Sequence, residues 1–348
     1  MTFPDRNQGG SGVYARSLVA AMQARGEFDV HELRSGPPGL LRTTMWLAHG
    51  ASRQLRRAGV DLLHCPNFVV PWRVPVPFVV TVFDVSARSF PGDHPFEWRA
   101  YERWFLPERA RAAARVIAIS ELTRKQAISV YGLAAERVVT VHLGVDTRFF
   151  NDDLALRNGE RANARPRLLF PGAPVARKNL ELVLRAMAAA HPGSALASAQ
   201  LEITGARPEQ FPEQEARVAA AGLKERVSWL GQVARDDMPN VMAAADVCVY
   251  PSLYEGFGFP PLEAMASGTA VVASNASCLP EILGDAALLV DPTDVTSFSE
   301  AVEAVLSKDA LRARLVEAGR RRAREFTWER CAERTADVYR EALAEAKR

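Results

Sequence analysis

The sequence predicts an α/β protein made of two doubly wound domains, and three observations lead there. Short β-branched and apolar runs alternate with long amphipathic stretches from end to end, the pattern of a parallel sheet covered by helices on both faces. The alternation breaks once, over Asn151 to Arg165, where a polar stretch without periodicity reads as a linker. A chain of 348 residues is also long enough for two such domains.

The first domain is placed at residues 1–150. Its strands are expected at Phe28 to Leu33, Asp61 to Cys65, Phe78 to Phe83, Val116 to Ile119 and Val138 to His142, with helices over Val13 to Gln23, Met45 to Arg57 and Trp98 to Ala114. A doubly wound sheet normally opens with an apolar strand, yet only Met1 to Phe3 precede Pro4 and the loop Gly9 to Gly12; either that strand is a stub or the chain starts downstream of its biological beginning. Residues 151–166 form the linker. The second domain, 167–327, restarts with strands at Arg167 to Phe170, Leu201 to Thr204, Val227 to Leu230, Val247 to Tyr250, Thr269 to Ala273 and Ala287 to Val290. Its helices are expected at Leu180 to Ala189, Val295 to Ser307 and Asp309 to Glu325, before a terminal helix, Trp328 to Ala346, in residues 328–348. Ligands are expected in a cleft between the domains, beyond the carboxyl ends of the strands.

Composition narrows the function. Hydrophobic residues make up 48%, charged residues 24%, and net charge is +2, the balance of a globular protein. That charge argues against nucleic acid as a partner, although the surplus of basic residues lies in the first half and leaves an anionic membrane surface open. No stretch approaches the roughly 20 apolar residues of a membrane helix, and residues 1–12 lack the apolar core of a secretory signal. Cys65, Cys248, Cys278 and Cys331 are too scattered for a zinc cluster or disulfide framework, which fits a cytoplasmic protein.

The strongest motif runs from Pro251 to Gly268. It leaves an apolar strand, passes through a turn containing Gly256 and Gly258, and enters a helix with prolines at its start. Glycines let a ligand approach the backbone and a helix start favours an anion, while Glu255 and Glu263 can accept hydrogen bonds from hydroxyls at two places on one elongated molecule. On spacing alone, Glu263 could instead cap its helix and Glu255 could be a solvated loop residue. Arg177 and Lys178 follow another strand; they can pair with an anion, Arg as a planar fork and Lys as a point charge, or lie on solvated surface. Asp84, after the strand ending at Phe83, is a ligand contact or a turn cap. His64, the nearest candidate imidazole, reads best as structural. In Trp98 to Arg111, Trp98, Tyr101, Trp104 and Phe105 interleave with Arg99, Arg103, Arg109 and Arg111, suiting a lipid headgroup layer or a helix packed on the core.

Glu255 and Glu263 with seven residues between them, inside EGFGFPPLEAMASG, resemble the E-x7-E signature of retaining glycosyltransferases of family GT4 with the GT-B fold, above all bacterial polysaccharide mannosyltransferases. The likeness extends through Gly9 to Gly12, Val116 to Ser120, Gly144-Val145-Asp146, Arg177-Lys178-Asn179, Val227 to Gly231 and Pro280 to Gly284. It implies a nucleotide-sugar donor, GDP-mannose first with UDP-glucose and deoxysugar donors open, and a saccharide or lipid-linked acceptor. Glu263 would hold the ribose and Glu255 the donor sugar, with Gly256, Phe257, Gly258 and Leu262 around the donor. Arg177 and Lys178 would stabilise the leaving diphosphate, Asp84 would touch donor or acceptor, and Gly10, Ser11 and Gly12 would lie near phosphate and acceptor. No Asp-x-Asp is present, so neither metal nor cofactor is expected. Phe83 stands where the family commonly has His, which leaves a non-catalytic nucleotide-sugar-binding subunit as an alternative; a sugar-nucleotide epimerase on the same fold is a second one, which would need acid/base carboxylates and a His in the cleft. Donor binding is expected to close the cleft about the linker and the terminal helix.

Overall fold

A computed structural model describes residues 9–33, 45–150 and 165–347. The expected strand at Met1 to Phe3 and nearly all of the expected linker lie outside them. The chain forms two units, one comprising Met1–Gly144 with Phe326–Arg348 and the other Val145–Glu325.

The first unit holds a parallel sheet in the order β1 (Leu63–Cys65), β2 (Phe78–Val82), β3 (Arg115–Ala118), β4 (Val138–Thr140). All five residues of β2 are buried, which is why this strand reads as a continuous apolar run. Helices α1 (Gly10–Arg25), α2 (Ala51–Ala58), α3 (Phe96–Ala100), α4 (Leu106–Ala112) and α5 (Glu121–Tyr131) flank it. Ser120 caps α5 by accepting from the Thr123 amide at 3.1 Å, and Gly132 ends it in the left-handed conformation.

Three expectations are corrected here. Residues 28–33 form no strand: Phe28 and Val30 are half-buried and Leu33 buried, but β1 is the edge strand of the described sheet and no ladder joins it to this segment. Gly10, Ser11 and Gly12 are the first turn of α1 rather than a loop before it, because the amides of Gly12 and Val13 already bond the Gly9 carbonyl at 2.9 and 3.1 Å. The helix expected at Trp98 to Ala114 begins at Phe96 and widens into a π turn, Tyr101–Phe105, between α3 and α4.

In the second unit the sheet is parallel throughout, in the order β10 (Leu288–Val290), β9 (Ala270–Ser274), β8 (Val247–Tyr250), β5 (Arg167–Phe170), β6 (Gln200–Thr204), β7 (Val227–Gly231). Its helices include α6 (Leu180–Ala188), α7 (Phe259–Ala266), α8 (Val295–Ser307) and α9 (Asp309–Ala323). The core beneath is aliphatic, with Leu168, Leu201, Val249, Val272, Val302 and Val305 at most 1% exposed. From β5 the chain winds toward β6 and from β8 toward β9, so the connections part at the adjacent strands β5 and β8. Such a reversal opens a crevice at the carboxyl ends of the two strands.

The last helix, α10 (Trp328–Ala346), belongs to the first unit and packs on α1. Arg340 reaches Glu27 at 2.6 Å, and Arg115 of β3 reaches Glu341 at 3.2 Å. Gly144 makes the start of α10 fit, since a β-carbon there would lie 2.4 Å from the Trp328 amide nitrogen.

Candidate active site

Both chemistry-bearing motifs leave the two strands at this reversal. After β5, Gly172 turns at φ +101° and gives its amide to the Thr204 hydroxyl at 3.0 Å. One 3-10 turn, Ala176–Lys178, then presents the adjacent cations. Asn179 follows at φ +57°, a conformation asparagine tolerates, and its side-chain amide bonds the carbonyls of Pro251 and Pro292 at 3.2 and 2.8 Å. That tie holds the turn after β5 against the loop after β8, and the Leu253 amide donating to the Arg177 carbonyl at 2.8 Å makes a second one.

Glu255 sits between the cations. One carboxylate oxygen, Oε1, is 2.8 Å from Arg177 Nη1 and 2.7 Å from Lys178 Nζ, and Arg177 also donates to the Tyr254 carbonyl. Glu255 and Lys178 are each only 8% exposed, so neither is the solvated surface group that spacing alone allowed. Burial by itself would raise the Glu255 pKa, but Lys178 and Arg177 outweigh it and the net shift is downward: the carboxylate stays ionised. Burial lowers the Lys178 pKa against the pull of Glu255, and the ammonium lies over the Tyr250 ring, 4.2 Å from its centroid, while bonding its hydroxyl. The Glu255 backbone is fixed too: its amide donates to Ser277 Oγ at 2.9 Å, and its carbonyl accepts from Ser277 Oγ and Cys278 Sγ.

Glu263 is 4% exposed in the second turn of α7 and does not cap that helix, whose N-cap is Gly258 at φ +93°. That φ favours glycine, and a β-carbon at Gly258 would also lie 2.8 Å from Leu279 Cδ2, which would have to shift. The partner of Glu263 is Arg235, with Nη2 2.6 Å from Oε1 but without hydrogen-bond alignment, its guanidinium 4.9 Å from the centroid of the Phe149 ring. Burial dominates and pushes the Glu263 carboxyl above its ordinary pKa, Arg235 opposing. Two buried carboxylates on one loop and helix are therefore tuned in opposite directions, one clamped by two cations and the other by one.

The remaining expected site residues divide. Gly256 and Phe257 lie in the turn between the carboxylates, both buried. Leu262 follows in α7, its side chain fully buried and its amide donating to the Gly258 carbonyl at 3.4 Å. Asp84 acts in its own turn, Oδ1 accepting from the amide and hydroxyl of Ser86 at 2.8 and 2.6 Å. Phe83 packs edge-on to Tyr14 with ring centroids 5.4 Å apart. His64 bridges the Tyr339 hydroxyl at 2.6 Å and the Thr81 hydroxyl at 2.8 Å, and burial lowers its pKa to about 3, so it is a neutral structural link.

Sequence reasoning missed Arg235, Tyr250 and Ser277. Arg235 stands after β7 in a polar stretch with no motif, Tyr250 reads as a strand residue, and Ser277 reads as loop until its φ of +62° shows a specific turn. Among the described residues no three His, Cys, Asp or Glu side chains gather in a way that could hold a metal ion.

Two family models match the chain, Glycosyltransferase Family 4 over residues 8–149 and Glycosyl transferases group 1 over residues 153–322. O-antigen chain mannosyltransferase B of Escherichia coli is 31% identical over 283 residues, which are 80% of this chain and 74% of that protein. Among solved structures, sucrose-phosphate synthase from Thermosynechococcus elongatus aligns with a TM-score of 0.79 at 24% identity, covering 97% of this chain and 94% of the other. Anabaena HepE in complex with UDP-glucose aligns with a TM-score of 0.73 at 18% identity, covering 95% and 96%. At these identities the structural likenesses establish the fold, GT-B, whose two halves are doubly wound.

Proposed function

Because the chain belongs to glycosyltransferase family 4, we propose that it moves a hexosyl group from a nucleotide sugar to an acceptor hydroxyl with retention of anomeric configuration. The observation that carries this reading is the clamp of Arg177 and Lys178 on an ionised Glu255, at the sheet reversal and separated from Glu263 by seven residues. The two cations and one carboxylate leave one net positive charge, and a departing diphosphate placed there gains charge-assisted hydrogen bonds in a site poor in water. Glu255 positions the donor sugar and supports the positive charge developing at its anomeric carbon. Glu263 accepts from the ribose hydroxyls. The diphosphate takes the acceptor proton on the same face, so no protein carboxylate serves as nucleophile, and the two cations fill the role that a metal ion plays elsewhere.

GDP-mannose is the first donor to test, since the Escherichia coli relative is named a mannosyltransferase; UDP-glucose is next, since HepE was solved with it. The acceptor is a saccharide or lipid-linked saccharide of polysaccharide assembly. Four free, buried cysteines fit a reducing compartment, and no described helix is long and apolar enough to cross a membrane. The test is transfer by the purified chain across nucleotide sugars, with the product linkage read by NMR. An inverted linkage would refute the mechanism. Tight nucleotide-sugar binding without turnover on any acceptor would favour a binding subunit, the reading that Phe83 leaves open.

A further inference from the structure

Six large apolar side chains are more than a third exposed among the described residues, and four of them, Met45, Trp72, Phe96 and Trp104, lie on neighbouring segments of the first unit. Phe96 and Trp104 are each 71% exposed. The Trp72 amide donates to the Leu47 carbonyl at 3.0 Å, Arg109 donates to the Trp72 carbonyl at 2.8 Å, and the Trp72 ring lies 6.2 Å from that of Phe105. The segments carrying Met45, Trp72 and Trp104 are therefore bonded side by side.

The π turn explains why two aromatics point outward together. At α-helical pitch, eight residues leave Phe96 and Trp104 about 80° apart around the axis. A π turn uses more residues per turn and brings them closer to one line. Of the aromatics that suited either a headgroup layer or a packed helix, Trp98, Tyr101 and Phe105 stack on one another and are half-buried: their successive ring centroids are 5.6 and 5.3 Å apart, and the Tyr101 hydroxyl is tied to the backbone of Phe68 and Val70. The helix thus keeps one half-buried aromatic stripe against the protein and leaves Phe96 and Trp104 exposed beside it.

Cations accompany the outer stripe. Arg99 lies over the Phe96 ring at 5.7 Å and Arg103 over the Trp104 ring at 5.2 Å, with exposed Arg73 next to Trp72. Opposing them on α3 and α4 are the exposed Glu97 and Glu108; Glu102 is buried and paired with Arg88. Guanidinium groups held at ring level, beside apolar tips that enter the acyl boundary, match the layered chemistry of an anionic headgroup region better than a protein surface, which would demand pockets for the rings.

We propose that this face, Met45, Trp72, Phe96 and Trp104 with Arg99 and Arg103, docks the first unit on an anionic lipid surface. The proposal does not rest on the transferase reading. Its test is sedimentation of the full chain with vesicles of equal parts phosphatidylglycerol and phosphatidylcholine, against pure phosphatidylcholine, at 50 and 300 mM salt. The wild type should bind the anionic vesicles at least tenfold more tightly than the neutral ones, and less tightly at the higher salt. The exposed double variant Phe96→Ala/Trp104→Ala should lose at least tenfold in binding while its melting temperature stays within about 2 °C. Arg99→Gln/Arg103→Gln should lose both affinity and most of the salt dependence. Failure of the wild type to bind, or equal binding by the double variant, would overturn the proposal. So would a wild-type dimer that Phe96→Ala/Trp104→Ala dissolves, since the face would then join two copies of the chain.

Discussion

Replacing Glu255 by Gln keeps the shape of the clamp and removes its charge. In the native arrangement one carboxylate oxygen faces two cations at 2.7 and 2.8 Å, with side-chain exposures of 10% for Glu255, 9% for Lys178 and 24% for Arg177. At an effective dielectric near 20 each contact is worth about 6 kcal/mol before desolvation is subtracted, and breaking a buried pair typically costs about 3–5 kcal/mol net. Gln retains one acceptor oxygen, which points to the lower end, about 3 kcal/mol. For a unit of roughly 180 residues that corresponds to a fall of roughly 6–12 °C in melting temperature, readable by thermal denaturation. The pH dependence has a definite sign. Because Glu255 has a lowered folded pKa, its stabilisation is present above the unfolded carboxyl value and fades as pH falls through the folded one, so the gap between wild type and variant should shrink in acid. Adding Lys178→Met removes the stranded ammonium, and the double variant should be more stable than Glu255→Gln alone. Turnover should drop at least tenfold in both variants. A Glu255→Gln protein melting within about 2 °C of wild type, or a double variant no more stable than the single, would refute the clamp.

Arg235→Gln should behave oppositely with pH: Glu263 has a raised folded pKa, so its ionised form is already a cost that grows as pH rises, and losing the cation should lower stability by about 1–3 kcal/mol at pH 8, after discounting for the exposure of Arg235, but by less at pH 4, where the carboxyl is mostly protonated. Thermal melts at the two values check it; an equal loss at both would show that Arg235 contributes packing only. Gly144→Ala should destabilise the first unit by at least about 2 kcal/mol because the added carbon meets backbone, which cannot yield as a side chain can, whereas Gly132→Ala, in open space at φ +64°, should cost only about 1–2 kcal/mol. Denaturant titration separates them. His64, held neutral to about pH 3, should make the wild type lose stability as pH falls from about 6.5, by at most about 1.4 kcal/mol per unit, and His64→Gln should flatten that slope.

What was legible in the sequence was what short range dictates. Strands such as Val247–Tyr250 and helices such as Val295–Ser307 carry their period and their caps within themselves; Asp294, for one, accepts from the amides of Thr296 and Ser297 and sets the start of α8. The carboxylate pair was legible because one loop and one helix carry both members. Their tuning was not, because it comes from residues far along the chain: Arg177 and Lys178 come from the turn after β5, Ser277 from the turn after β9, Arg235 from the stretch after β7. The missing strand at residues 28–33 fails for a related reason. Its alternation of half-buried Phe28 and Val30 with exposed Asp29 and His31 is a sound strand pattern, but a strand exists only where a neighbour completes its ladder. The aromatic helix teaches the same lesson through geometry. Residue spacing assigned Trp98, Tyr101, Trp104 and Phe105 to one face, and a single π turn divided them between core and surface, adding Phe96 to the outer group. The geometry of the two proposed sites is therefore set less by which residue types occur than by where the backbone departs from regular pitch: at Asn179, Gly258 and Ser277, whose left-handed conformations shape the turns around the charged groups, and at the π turn Tyr101–Phe105 between α3 and α4.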